Sequence, residues 1–194
     1  MSESQRDCVA ACGRLARRGT SLIEILTVMV VLGVITAVAA PRLRPSPHGQ
    51  VEQNTRLLAQ DLDLARTRAY GTRALVRIVV SDTLWQTFLD QNRDTVIAEN
   101  ATERTAFGTM NSRLLESQVV FGRGSVPPLP TDTLGTPPPG DRRIQFGPRG
   151  ITEPFGTSTI LYLTHTSDNT AVSAVEINPA ANVRVWRWVD GAWQ

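Results

Sequence analysis

Residues 17–41 read RRGTSLIEILTVMVVLGVITAVAAP, and the rest of the chain is best understood from this stretch. The part from Leu22 to Ala40 is 19 residues long and contains one charged side chain, Glu24. An α-helix of that length spans about 28 Å, close to the ~30 Å hydrocarbon core of a bilayer. The sequence therefore predicts a membrane-spanning helix near the N-terminus.

The charges around this apolar run predict its orientation. Arg17 and Arg18 come directly before it, and no comparable basic pair follows it at once. Basic residues are retained on the cytoplasmic side of a membrane. We therefore expect residues 1–19 to be cytoplasmic and the chain after Pro41 to lie on the other side.

Three simpler interpretations account for parts of the same stretch. The small residues of Ala37-Val38-Ala39 fit the cleavage pattern of a secretory signal peptide, although the apolar run is longer than usual for one. Arg17-Arg18 would suit a twin-arginine export signal, but the rest of that motif is missing. A plain single-pass anchor agrees equally well with the composition.

Glu24 separates these interpretations, because a carboxylate inside an apolar helix needs a partner. Its insertion costs about 2.5–3.5 kcal/mol, and no basic residue follows it within the apolar run. If the chain were cut after Gly19, the new α-amino group of Thr20 would lie about one helical turn from Glu24. The carboxylate could instead meet the amine of a neighbouring subunit, which would also set a register between packed helices.

The run from Arg17 to Glu24 resembles the cleavage motif of type IV prepilins, in which glycine precedes the cut and glutamate is the fifth mature residue. The resemblance implies cleavage after Gly19 by prepilin peptidase and N-methylation of Thr20, which stands where phenylalanine is usual. It also implies that Pro41, the twenty-second mature residue, kinks the helix.

A second helix and a series of strands are predicted beyond the prolines at positions 41–47. Leu58, Leu62, Ala65 and Ala69 form one apolar stripe of a helix over Val51–Tyr70, and Gly71 is a natural end for it. Extended patterns then follow one another to the C-terminus. The predicted strands are Ala74–Val80, Leu84–Asp90, Thr95–Glu99, Val119–Phe121, Arg143–Phe146, Ser158–Thr164, Val172–Asn178 and Asn182–Val189.

These predictions divide the chain into four parts. They are a cleaved leader (1–19), a transmembrane and assembly helix (20–41), its amphipathic continuation (42–71) and a β domain (72–194). Residues 122–142 contain six of the 12 prolines, so we expect an exposed loop there. The predicted fold class is α+β, with a long N-terminal helix packed on an antiparallel sheet as in type IV pilins.

Several segments are similar to the GspH/FimT family of minor pseudopilins and minor pilins. They are LAQDLDLARTRAY (58–70) with ALVRIVV (74–80) after it, IQFGPRG (144–150) and the closing NVRVWRW (182–188). The resemblance implies a minor pseudopilin of a type II secretion system, assembled into a short periplasmic pseudopilus after leader removal. It leaves open a minor type IV pilin that primes a pilus or binds DNA. The implied partners are prepilin peptidase, other pilin-like subunits and the bacterial inner membrane.

No residue pattern predicts catalysis, so we expect a structural subunit with no cofactor and no metal. Cys8 and Cys12 both lie in the leader, without the further ligands of a zinc site. His48 and His165 each lack a second ligand at a suitable spacing. The leader also holds four of the 20 basic residues and two of the 18 acidic ones, so the remaining chain is electrically balanced. That balance gives no general reason to expect nucleic-acid binding.

The last predicted strand carries one further candidate site. Arg184, Trp186 and Trp188 alternate along it and share a face, with Arg187 nearby, while Val183, Val185 and Val189 are expected to face the core. Arginine and tryptophan can contact phosphate and stack on bases, as in proteins that bind single strands. FimT-like pilins bind DNA through arginines near the C-terminus, although the pattern here differs from theirs. Packing under the proline-rich loop, or against a neighbouring subunit, is the favoured alternative.

Overall fold

The computed structural model describes residues 21–39, 46–109, 111–132, 142–156 and 158–194 of the 194-residue chain. The chain divides into two units, Met1–Arg44 and Pro45–Gln194. The predictions that concern Gly19, Thr20 and Pro41 fall outside the described residues.

The first unit contains helix α1, Leu22–Ala39. Its first turn is closed by the carbonyl of Ser21, which accepts hydrogen bonds from the amides of Glu24 at 2.9 Å and Ile25 at 3.2 Å. The helix is apolar around its whole circumference, and all of its side chains up to Ala37 are exposed. Across the described residues, no helix has both the length and the hydropathy needed to cross a membrane.

Helix α2, Pro47–Thr72, begins the second unit. Ser46 caps it, because its side-chain oxygen accepts a hydrogen bond from the amide of Gly49 at 3.1 Å. The prediction that Gly71 ends the helix is wrong. Gly71 is helical, and Arg73 takes the left-handed cap conformation with a φ of 52°, while the amide of Ala74 bonds to the carbonyl of Ala69.

Two antiparallel sheets follow α2 along the chain. The first has the order β3-β2-β1-β5-β6 and the second the order β10-β9-β8-β7-β4. The strands of the first sheet are β1 (Val76–Val80), β2 (Leu84–Leu89), β3 (Ser112–Leu114), β5 (Arg142–Phe146) and β6 (Thr152–Glu153). Those of the second are β4 (Val119–Phe121), β7 (Thr159–His165), β8 (Asp168–Ile177), β9 (Val183–Val189) and β10 (Ala192–Trp193).

The main core lies between α2 and the two sheets. The stripe predicted on α2 is fully buried, since Leu58, Leu62, Ala65 and Ala69 are each 0% exposed. It packs with the inward side chains of both sheets, among them Ile78 of the first. Full burial of one leucine side chain stabilises a fold by about 1.5–3 kcal/mol, so this stripe holds the sheets to α2. The predicted α+β class with an antiparallel sheet is confirmed, in the form of two sheets.

The predicted strand at Thr95–Glu99 is wrong. Thr95 and Glu99 have left-handed φ angles of 68° and 56°, which interrupt an extended chain. The buried carboxylate of Asp90 bonds instead to the amides of Arg93 at 2.8 Å and Thr95 at 3.0 Å, which folds the segment into a turn. A short helix that was not predicted, α3 (Ala101–Phe107), comes next.

Residues 122–132, the described part of the predicted loop, contain no helix or strand and most of them are exposed, but two side chains are buried. Val126 is 4% exposed and Leu129 is 2% exposed. Both belong to a second hydrophobic cluster, on the outer face of the second sheet, with Tyr162, Val172 and Ala174. Prolines prevent this segment from pairing as a strand, but its apolar side chains still cover the sheet.

Candidate functional site

Helix α1 is the first candidate, because its apolar surface has no cover within the described chain. Leu22 is 80% exposed and Met29 is 67% exposed. Folded proteins rarely leave a continuous apolar surface of this kind in water, and a helix that is apolar all round is normally buried in lipid or among other helices.

The polar groups of α1 fit such an environment. The hydroxyl of Thr27 donates to the carbonyl of Glu24 at 2.9 Å, and that of Thr36 donates to the carbonyl of Leu32 at 2.6 Å. Both threonines therefore satisfy their donors inside the helix and need no water.

Glu24 is the single charged residue of α1, and it lies in the first turn. A carboxylate is stabilised at a helix N-terminus by the backbone dipole. Its side chain is exposed, and within the described chain it forms no ion pair. The helix thus presents one negative charge on an otherwise apolar surface, where it can receive an ammonium group.

The tryptophans of β9 form the second candidate, and they lie against the proline-rich segment. Trp186 and Trp188 pack on the second hydrophobic cluster together with Trp193 of β10. The ring centroids of Trp188 and Trp193 are 5.4 Å apart in an edge-to-face arrangement. Trp193 donates its indole N–H to the carbonyl of Pro127 at 3.0 Å, which ties β10 to the segment that covers the sheet.

The polar atoms around this cluster are also paired. Trp186 donates its indole N–H to Glu176 at 2.7 Å. The hydroxyl of Tyr162 accepts the amide of Leu129 at 3.0 Å and donates to Asp132 at 2.8 Å. Burial of the phenol, reinforced by the bond to Asp132, raises the pKa of Tyr162 to about 12.

The four residues predicted for this strand do not share one surface. Arg187 lies on the opposite face from Trp186 and Trp188, and its guanidinium is 3.1 Å from Glu52 of α2. Arg184 is exposed, and Glu176 is its neighbour on β8. The expectation that Val185 faces the core is wrong, because it is 38% exposed.

The sequence did not indicate which residues contact the tryptophan side chains. Glu176, Tyr162 and Leu129 lie on other elements, and only the tertiary pairing of strands brings them close. Trp193 of β10 comes five residues after Trp188 and pairs with it. This second tryptophan was the sequence feature that could have predicted a hairpin of β9 and β10.

The two histidines have ordinary structural neighbours. His165 is 2% exposed, with its Nε2 2.8 Å from the amide oxygen of Gln50 and its Nδ1 accepting the amide of Ser167 at 3.2 Å. His48 lies 3.9 Å from Asp168, and hydrogen bonds from Thr170 lower the pKa of that carboxyl. In the part of the chain that the structure describes, no group of three acidic, cysteine or histidine side chains is placed to hold a metal.

Comparisons with known proteins bear on the fold. No protein-family model and no curated protein sequence matches the chain. The fold is similar to the crystal structure of the type IV minor pilin FimU of Pseudomonas aeruginosa, with 10% identity, a TM-score of 0.46, and coverage of 70% of this chain and 87% of that one. It is also similar to the structure of the minor pseudopilin EpsH from the type 2 secretion system of Vibrio cholerae, with 11% identity, a TM-score of 0.48, and coverage of 71% and 97%.

Proposed function

We propose that this chain is a minor pseudopilin of a type II secretion system. Prepilin peptidase removes residues 1–19, Thr20 becomes the methylated N-terminus, and the apolar helix that follows anchors the subunit in the bacterial inner membrane. The subunit then joins other pseudopilins through this helix in a short periplasmic filament that helps to export folded proteins. Its role is assembly rather than catalysis.

The observation that carries the proposal is the position of Glu24. It is the one charge of an otherwise apolar helix, it lies in the first turn, and its carboxylate is exposed. The cut after Gly19 would supply an ammonium group about one turn away, either in the same chain or from a neighbouring subunit. That pair would neutralise the charge and fix the axial position of one helix against the next.

The internal bonds of Thr27 and Thr36 support the same use of α1. An assembly helix must pass from lipid into a bundle of similar helices, and neither surrounding supplies water to a hydroxyl. Because both hydroxyls donate to carbonyls within the helix, Glu24 is the one polar side chain of α1 that the transfer leaves without a partner in the described chain.

The N-terminus of the protein recovered from membranes tests this proposal. Intact mass and N-terminal sequencing should show a chain that begins at Thr20 and carries one added methyl group. A chain that keeps Met1, or one that begins near Pro41, would contradict leader processing and leave a plain anchor or an exported domain.

A minor type IV pilin that primes a pilus or captures DNA is the second candidate. The exposed Arg184 on β9 favours it, because this arginine remains accessible although the nearby tryptophans are packed. Deletion of the gene distinguishes the two systems. Loss of exported folded enzymes with normal pili supports secretion, whereas loss of pili or of transformation with normal export supports the pilus.

A further inference from the structure

Two adjoining clefts lie where α2 ends. One, of about 710 Å³, is lined by Arg149 and Phe155 among others, and the second, of about 340 Å³, by Arg73 and Arg93. Both clefts are bounded by the same three residues, Gln145, Pro148 and Glu153, so together they make up one surface. We call it the arginine groove.

The backbone around this groove is unusually strained. Arg73, Arg93 and Thr95 have φ angles of 52°, 59° and 68°, in the left-handed region that non-glycine residues disfavour. They are three of the six non-glycine residues with positive φ in the described chain, and all three line the smaller cleft. Strained backbone conformations cluster at ligand sites, where the surrounding structure maintains them. Here the carboxylate of Asp90, 1% exposed, fixes the amides of Arg93 and Thr95.

The charges of the groove leave its arginines available. Within the described chain, no acidic side chain forms an ion pair with Arg73, Arg93 or Arg149. Asp90 is occupied by backbone amides, and Glu153 lies against Gly147 with its carboxylate 3.5 Å from Gln145. Arg93 donates one guanidinium N–H to the carbonyl of Thr72 at 3.3 Å. Each of the three guanidinium groups keeps further donors with which it can bind a carboxylate from outside the chain.

The apolar wall of the larger cleft identifies the kind of ligand. Phe155 is 76% exposed beside Pro148 and Pro154, so an apolar side chain can pack there. Phe155 is the one aromatic residue among those that line the two clefts, whereas a surface that binds single-stranded nucleic acid carries several for successive bases.

We propose that the arginine groove binds a short acidic segment of a partner polypeptide. Its carboxylates pair with Arg73, Arg93 and Arg149, and an apolar side chain between them packs on Phe155. This inference does not depend on the proposed function, because it concerns only residues of the unit Pro45–Gln194.

Fluorescence anisotropy with the full chain in detergent micelles tests the proposal. The probe is a fluorescein-labelled peptide of alternating glutamate and leucine, and its twin has lysine in place of glutamate. The acidic peptide should bind, and both Arg73→Gly and Arg149→Ala should weaken binding about fivefold or more, the loss expected for one charge-assisted contact. Arg56→Gln removes the same charge from another part of α2 and should leave the affinity unchanged.

Arg73→Gly separates binding from folding. Glycine adopts the left-handed conformation freely, so the melting temperature should stay the same or rise while the affinity falls. Equal binding of the acidic and basic peptides, or unchanged affinity in both groove variants, would overturn the proposal. Tighter binding of a labelled oligothymidylate than of the acidic peptide, lost in the same variants, would also overturn it and assign the groove to nucleic acid.

Discussion

Trp85 donates its indole N–H to the carboxylate of Asp61 at 2.7 Å, and this bond joins the first sheet to α2 inside the core. Arg113 of β3 binds the same carboxylate through two nitrogens, at 2.9 and 3.2 Å. Trp85 is 1% exposed and Asp61 is 7% exposed. Three elements therefore depend on one buried acid.

Asp61→Ala should lower the free energy of unfolding by about 3 kcal/mol, since it leaves the Trp85 donor and the Arg113 guanidinium without their acceptor. Urea unfolding measures the change. Asp63→Ala, an exposed position on the same helix, should change stability by less than about 0.5 kcal/mol. Equal stability of the two variants would show that the buried acid contributes nothing.

Glu24→Ala should abolish filament assembly without changing the stability of the β domain. The reason is that the proposed function requires this carboxylate as the partner of an N-terminal amine, while the described fold makes no ion pair with it. Sedimentation of filaments and thermal melting measure the two effects. Thr27→Val, which removes a polar group but no charge from the same helix, should still assemble. Normal filaments from Glu24→Ala would refute the pairing.

Glu99 should make stability depend on acid pH. The hydrogen bond from Arg143, aided by Arg77, lowers the pKa of Glu99 below its ordinary value of 4.5, although partial burial opposes this shift. The charged form is thus favoured in the folded state, so the stabilisation is complete above that ordinary value and is lost as pH falls through the lowered one. Glu99→Gln should be less stable than the natural protein by about 1 kcal/mol near pH 6, with the difference shrinking as the pH falls below 4.5. A difference that persists in acid would point to packing instead of charge.

Tyr162 should make stability depend on alkaline pH, in the direction opposite to that of Glu99. Because burial raises its pKa from 10.0 to about 12, the neutral phenol is favoured in the folded state. Its stabilisation is therefore complete below the ordinary pKa and is lost as pH rises toward the raised value. Titration by the ultraviolet absorbance of phenolate should show a late step that Tyr162→Phe removes. Ionisation of Tyr162 at the ordinary pKa would mean that the phenol is not buried in solution.

The parts of the fold that follow a regular period were predictable. Spacings of three and four residues identified the buried face of α2, and alternation identified β1 with Val76, Ile78 and Val80 buried. The prediction of a strand at Thr95–Glu99 was wrong for a physical reason. Its apolar and β-branched residues suit a strand, but the hydrogen bonds to Asp90 and two left-handed residues turn the chain. No local pattern reveals a left-handed arginine or threonine.

The candidate site was also only partly predictable from the sequence. Glu24 stands out in sequence because one acid interrupts an apolar run. The role of Trp186 and Trp188 does not, because Leu129, which belongs to the cluster they pack on, is more than fifty positions away. Alternation identified the tryptophan face, and packing under the proline-rich segment was one of the alternatives predicted for it, but no local pattern distinguished that cover from a neighbouring subunit.

The uniform surface of α1 makes it a helix without a preferred side. Lipid chains and the faces of similar helices are about equally apolar, so the hydrophobic effect does not favour one over the other. The helix can roll about its axis, or slide along it, at little cost until the first turn meets a positive charge. In the proposed assembly, the carboxylate of Glu24 would therefore set both the rotation and the axial position of α1.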